Sequence, residues 1–407
     1  MFASPISLLQ MTAQRFMFVA GEASGDALAA ELVKALRDAP AILARPFPPE
    51  FFGTGGPRMA AVGVEMLFDL TRHAVFGLSD VLRHYFKFKG FFERLFQLAV
   101  EREPEVIVLV DYAGFNRRFA KAIKRYVRAR PNSFHNWNPK IVYYVSPQVW
   151  ASRESRAYQI ARDVDLLLSI FPFEKEWYAA RVPKLRVEFV GHPLIDRHAE
   201  AKRETRSAKA PLSNIESSPL PLLLLLPGSR KREVEAHLPV MIEALEKIRV
   251  ERRVQPRLIL PNAELVELAA SRMKPVADLQ VQTSGLAESL SQADLAIASS
   301  GTVTLECAYF GVPTVVLYKT SWLTFLIARQ IIQVKYIAMP NILAGEEIYP
   351  EFIQSQATPD RIAGEALDLL NNSSRQRVMK TELAKAIASL GEAGASQRAA
   401  QAILNIL

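Results

Sequence analysis

Two short turns in the second half of this chain follow apolar runs and carry small residues beside hydroxyl and charged side chains, a combination that lets backbone approach an anionic ligand. Ser299-Ser300-Gly301-Thr302 opens a helical pattern, so unpaired N–H groups and the helix dipole converge where a phosphate would be held. Glu306 stands one helical turn beyond Thr302, where its carboxylate can accept bonds from the two hydroxyls of a ribose. Pro227-Gly228-Ser229-Arg230 repeats the logic and adds a guanidinium suited to bidentate phosphate contact. A helix cap or plain turn accounts for either one taken alone. The two together, one with Glu306 and the other with Arg230, read as a nucleoside diphosphate site.

In the first half, Gly21-Glu22-Ala23-Ser24-Gly25-Asp26 lacks the G-x-G-x-x-G spacing of a dinucleotide fingerprint. Glu22 and Asp111 both stand where a strand should end, and a carboxylate there can remove a proton from an attacking hydroxyl. The ordinary alternative for Asp111 is an Asx turn or a helix cap, and Asp26 is assigned to that role. His192 reads evenly as a core imidazole or a hinge group. Cys307 reads as a small core residue; as the single cysteine it excludes an intrachain disulfide and a cysteine-cluster metal site. No His/Asp/Glu spacing points to a catalytic metal, and neither a P-loop nor a nucleophile-elbow motif is present.

The elements that must position these groups are short apolar runs alternating with amphipathic helical patterns, which predicts an α/β fold with parallel sheets. Strands are expected over residues 15–20, 105–110, 140–145, 165–170 and 187–190, then again over 222–226, 257–260, 295–298 and 314–317. Residues 199–219 have almost no large apolar side chains and read as a linker between domains 1–198 and 220–407, with the last helix able to pack back on the first domain.

The 407 residues are 50% hydrophobic and 23% charged, which excludes wholesale disorder, and the diffuse charge of +8 is compatible with anionic partners. No apolar run reaches the roughly 20 residues needed to span a bilayer. Cysteine usage and the lack of a secretory pattern at the start point to the cytoplasm. Between residues 76 and 96, Phe76, Phe86, Phe88, Phe91 and Phe92 interleave with Arg83, Lys87 and Lys89. A core-facing helix produces some of this spacing. An interfacial helix on an anionic membrane explains the excess better, and nucleic acid is set aside because no RNA-binding motif accompanies the segment.

GEASGD, GTGGPRM (53–59), VSPQVWA (145–151), FPFEKEWY (171–178), VGHPL, LPGSR, SSGTVTLE and PNILAG (340–345) occur in the order found in lipid-A-disaccharide synthases. From about Phe16 to the C-terminus the chain resembles that family. The resemblance implies a GT-B glycosyltransferase: two Rossmann-like, doubly wound parallel-sheet domains facing across a cleft, the second holding the sugar nucleotide. It implies inverting, metal-independent transfer, with no cofactor, of 2,3-diacylglucosamine from UDP-2,3-diacylglucosamine to the 6-hydroxyl of 2,3-diacylglucosamine 1-phosphate. The site would be peripheral to the inner face of the inner membrane; a homodimer is left open.

Carried over by motif, Asp111 is the candidate general base, with Glu22 as competitor or helper. Gly228, Ser229, Arg230, Ser300, Gly301, Thr302, Glu306 and Asn341 fall on the donor side. Ser24, Gly25, Asn116, Ser146 and Gln148 fall on the acceptor side. Gly114 stands where many members have a second Asp. The alternatives on the same fold are a peptidoglycan-type N-acetylglucosaminyltransferase and a UDP-sugar 2-epimerase.

Overall fold

The computed structural model of the chain describes residues 13–70, 85–130, 136–198 and 220–407. These residues form two compact units: one runs to Pro193 and includes Glu392–Leu407, the other is Leu194–Gly391. The C-terminal helix Ala395–Leu404 belongs to the first unit because its buried face is built of Ala395, Ala399, Ala400 and Ala402, small enough to lie close against the helix Ala23–Arg37. Arg398 Nε fixes it by donating to Val190 O at 2.8 Å.

In the first unit the strands are β1 (Arg15–Ala20), β2 (Glu50–Gly55), β3 (Glu65–Asp69), β4 (Val106–Val110), β5 (Lys140–Tyr144), β6 (Leu166–Ser169) and β7 (Arg186–Phe189). They form one parallel sheet in the order β3-β2-β1-β4-β5-β6-β7. Val106–Val110 is buried on both faces, which is why it reads as a continuous apolar run without alternation. β2 is less legible, because EFFGTG carries glycines. Gly53 has φ +144°, and a Cβ there would come within 2.0 Å of Phe18 O, so strand contact requires glycine.

The second unit contains β8 (Leu222–Leu226), β9 (Gln255–Ile259), β10 (Gln280–Gln282), β11 (Leu295–Ser299), β12 (Thr314–Tyr318) and β13 (Glu351–Ile353), ordered β10-β9-β8-β11-β12-β13 and all parallel. Both sheets are therefore doubly wound, with strand order reversing between β1 and β4 in one and between β8 and β11 in the other. Ligands in open parallel sheets bind beyond the strand carboxyl ends at such reversals.

Candidate active site

The β1/β4 reversal carries Glu22 and Asp111. Ala20 pairs with Val110, and Val110 with Tyr144, so the turns after β1, β4 and β5 leave the same edge of the sheet side by side. Asp111 and Tyr112 have φ of 50° and 46°, two successive left-handed residues of which neither is glycine. Such backbone costs about 1–3 kcal/mol per residue and persists only where the surroundings over-determine it. Here they do. Asp111 N–H donates to Tyr144 O at 3.1 Å, while Asp111 O accepts from Asn116 Nδ2 and from the Tyr143 hydroxyl, each at 2.8 Å. The Asp111 residue itself is half-buried. Burial, then the Glu22 carboxylate, raises the Tyr112 phenol above its usual range.

Glu22 is the N-cap residue of helix Ala23–Arg37, makes no side-chain cap bond and is half-buried. Ser24 is exposed and Gly25 buried in the first turn of that helix. Asp26 caps a helix, but not in its own turn: from within helix Ala23–Arg37 it accepts from Gly56 N (2.9 Å), Arg58 N (3.0 Å) and Met59 N (3.0 Å) at the start of helix Pro57–Ala61.

Two expected acceptor-side residues have different work. Asn116 is fully buried and its amide nitrogen also reaches Val19 O and Val110 O, so it ties β1 to β4 and positions Asp111. Ser146 is buried with its hydroxyl 3.0 Å from the Tyr178 hydroxyl. Gln148, two residues on, is exposed.

Beneath this turn lies Glu174, fully buried, accepting from Trp150 Nε1 at 2.9 Å and from Phe171 N–H at 3.4 Å. Burial pushes its carboxyl up to about 8 despite those bonds. The turn is strained too: Val145 has φ 63°, rare for a β-branched residue. His192 is buried, its ring 5.4 Å from that of Phe171.

Of the aromatic-basic segment, Phe76 and Arg83 lie outside the described residues. Phe86 and Lys87 lie in the first turn of helix Tyr85–Arg102, where the backbone alone is described. Phe91 stacks on Phe68 at 4.6 Å, and Phe92 meets Phe115 and Phe119 at 5.4 and 5.7 Å, so ordinary inward packing accounts for these two. Lys89 is exposed and paired with Glu93, and Phe88 is half-buried.

The β8/β11 reversal carries both predicted phosphate turns, placed side by side because Leu226 pairs with Ala298. They differ in state. After β11, Gly301 (φ +147°) begins helix Thr302–Phe310 without a side-chain cap and without an acidic residue in the first turn; Gly301 and Thr302 are exposed. That helix start is open to an anion. After β8, the amides of Ser229 and Arg230 already donate to Glu233 Oε2, at 3.0 and 3.3 Å. Gly228, at φ +122°, is packed so closely on Glu233 that a Cβ would fall 2.4 Å from Oε2. Glu233 thus fills the place expected for phosphate at those two amides, leaving the exposed Arg230 guanidinium as the turn's contribution to a ligand. A glutamate in the first turn of a helical pattern that follows such a turn is the sequence signal for this back-bonding, which is the glutamate half of a capping box without its reciprocal bond.

Ser300 donates to Ile337 O at 2.8 Å, and Met339 N–H donates to Thr304 Oγ1 at 3.3 Å, which anchors the 337–345 turn to the open helix start. Asn341 was expected to touch the donor. It is fully buried, its oxygen accepts from Ile348 and Tyr349 N–H, and its amide donates to Tyr349 O and Glu351 Oε1. Its polar atoms are committed to holding the turn, with Glu351 also accepting from Ile337 and Ala338 N–H. Glu306 is half-buried with Oε1 3.5 Å from His198 Nε2, a neighbour no motif announced. Cys307 is fully buried and its thiol pushed up to about 12, consistent with a core role.

Two doubly wound parallel sheets with ligand turns at both reversals define the GT-B class of nucleotide-sugar enzymes. Solved structures of that class align over nearly the whole chain: UDP-GlcNAc 2-epimerase of Neisseria meningitidis, 12% identical with a TM-score of 0.62 over 96% of this chain and 100% of that one, and MurG of Acinetobacter baumannii, 14% identical with 0.53 over 97% and 100%. These likenesses speak to the fold. The sequence is more specific: the lipid-A-disaccharide synthetase family model matches residues 16–406. Lipid-A-disaccharide synthases of Geobacter sulfurreducens and Nitrosococcus oceani are each 38% identical, over 98% of this chain and 99% and 98% of theirs. The chain belongs to the lipid-A-disaccharide synthase family and is a glycosyltransferase.

Proposed function

We propose that the enzyme moves 2,3-diacylglucosamine from its UDP conjugate to the 6-hydroxyl of 2,3-diacylglucosamine 1-phosphate, forming a β-1,6 linkage with inversion. The observation that carries the reading is that each unit has its own site at its sheet reversal: an uncapped helix start and Arg230 in the second, and a strained, heavily restrained Asp111 in the first. The acceptor 6-oxygen attacks the anomeric carbon, the bond to the UDP oxygen breaks, and Asp111 takes the hydroxyl proton. Arg230 and the N–H groups that begin helix Thr302–Phe310 stabilise the charge left on UDP, a task that many transferases give to a cation. Glu306 accepts from the ribose hydroxyls, with His198 beside it.

No helix among the described residues is long and apolar enough to cross a membrane. We place the enzyme on the inner face of the inner membrane, with the exposed Lys89 of helix Tyr85–Arg102 as a described residue that anionic lipid would meet. The 2-epimerase alternative shares the fold, but the family membership does not favour it.

The test is product formation from UDP-2,3-diacylglucosamine and 2,3-diacylglucosamine 1-phosphate in EDTA, with UDP-N-acetylglucosamine as a competing donor. Disaccharide 1-phosphate made only from the acylated donor supports the reading. A dependence on added metal, or equal use of the unacylated donor, overturns that part of it.

A further inference from the structure

We propose that His237 is a positioning residue of the donor site: in its neutral, Nδ1-protonated form it fixes the 227–230 turn against the end of β12, and donor affinity depends on that bridge. The inference rests on the donor reading above. His237 lies in the second turn of helix Lys231–Glu251 and is fully buried. Its Nδ1 is 2.7 Å from Pro227 O, which can only accept, so Nδ1 carries the proton. Its Nε2 receives the Lys319 N–H at 3.0 Å, so Nε2 is bare. One neutral ring thus joins the turn after β8 to the turn after β12, two strands away in the sheet with the open helix start of β11 between them.

The same helix holds the turn at a second point. Glu233, four residues earlier and hence on the same face, accepts from Ser229 and Arg230 N–H. Pro227 is held by His237 and Ser229–Arg230 by Glu233, which leaves Arg230 aimed by backbone that has little freedom. Packing alone does not call for an imidazole here, because an aliphatic side chain would fill a buried position without desolvating a polar ring.

The bridge is sensitive to proton binding. The charged groups around the ring are Glu233 on its own helix and Lys319 at the end of β12, with the Tyr318 ring at 5.9 Å. Burial is the largest influence and lowers the imidazole below its ordinary value, which keeps the ring neutral near pH 7. A second proton on Nε2 would remove the acceptor for Lys319 N–H and redirect the ring toward Lys319 O, 3.2 Å away.

The experiment is UDP titration of the full chain, wild type against His237→Leu, His237→Asn and Arg230→Ala, at pH 8 and at stepwise lower pH below 6.5. Asparagine can keep a donor to Pro227 O, but its shorter amide stops short of the Nε2 position that accepts from Lys319 N–H. At pH 8, His237→Leu is expected to weaken UDP about tenfold, the worth of one buried hydrogen-bonded contact, with His237→Asn between it and wild type. The ratio of mutant to wild-type dissociation constants is expected to shrink once the pH is low enough to protonate the buried ring, below its ordinary 6.5, because the wild type then loses its own bridge; the titration of UDP itself cancels in the ratio. If His237→Leu does not fold, the same ratio for His237→Asn decides. An affinity unchanged in the histidine variants while Arg230→Ala weakens binding overturns this inference alone. An affinity unchanged in Arg230→Ala overturns the donor reading instead.

Discussion

The ring of Tyr112 lies against Gly21, so closely that a Cβ at residue 21 would fall 2.3 Å from Tyr112 Cδ1. The glycine after β1 is therefore part of what holds the turn after β4, and through it the left-handed Asp111–Tyr112 pair. Gly21→Ala forces the ring to move and releases that strain away from the donor side. It is expected to lower kcat about tenfold or more, since small misplacements of a reacting group are costly, while the UDP dissociation constant stays within about twofold. Unchanged kcat would show that Asp111 does not depend on this contact.

Asn116 and Tyr143 support the same backbone from beneath. Asn116→Leu leaves the carbonyls of Val110 and Asp111 without this donor and is expected to cost about 2–3 kcal/mol in a urea melt. Tyr143→Phe removes a single neutral bond and should cost about 1 kcal/mol. Both should depress kcat more than they depress UDP affinity; a pure affinity loss would contradict a positioning role.

Glu174 gives the first unit a pH dependence of definite sign. Its folded-state carboxyl titrates near 8 against an ordinary 4.5, so between those values the folded chain holds a proton that the unfolded chain has released, and stability falls as pH rises. Glu174→Gln, which keeps an acceptor for Trp150, should remove that loss, so its advantage in melting temperature over wild type grows from pH 5 to pH 9. His237 acts at the other end: its lowered value means that the unfolded chain binds a proton first as pH drops below 6.5, and stability falls there too. A Glu174→Gln advantage that is constant with pH would contradict the buried, protonated carboxyl.

On the donor side the structure separates two residues that the motifs grouped together. Glu306→Ala is expected to weaken UDP about tenfold with little loss of stability, since its carboxylate is half-buried beside His198. Asn341→Ala is expected to do the reverse, costing roughly 2–4 kcal/mol because it breaks four hydrogen bonds among buried groups. Calorimetry and denaturant melts on the same two variants check the contrast.

The long buried strands and the strand-end turns were legible in the sequence, because continuous apolar runs ending in small polar residues have few other folded solutions. The three-residue β10 and β13 were not, being too short to show a period. β2 was hidden by glycines that its close contact with Phe18 requires. For the site, strand-end position was readable but side-chain commitment was not. Asn116, Ser146 and Asn341 have the chemistry of ligand contacts, and the Asn116 amide, the Ser146 hydroxyl and both ends of the Asn341 amide bond to other parts of the protein. Glu233 and His237 look like helix surface until the turn they hold is seen beside them. Such assignments depend on partners far away along the chain, which spacing alone does not encode.

In the proposed reaction Asp111 takes the acceptor proton. Asp111→Asn keeps the size of the side chain and abolishes its basicity, so disaccharide formation and UDP affinity should be measured together on that variant. Transfer should fall by at least about a thousandfold with UDP bound as in the wild type. Transfer within about tenfold of wild type, or a matching loss of UDP affinity, would contradict it and move the base to Glu22 or elsewhere.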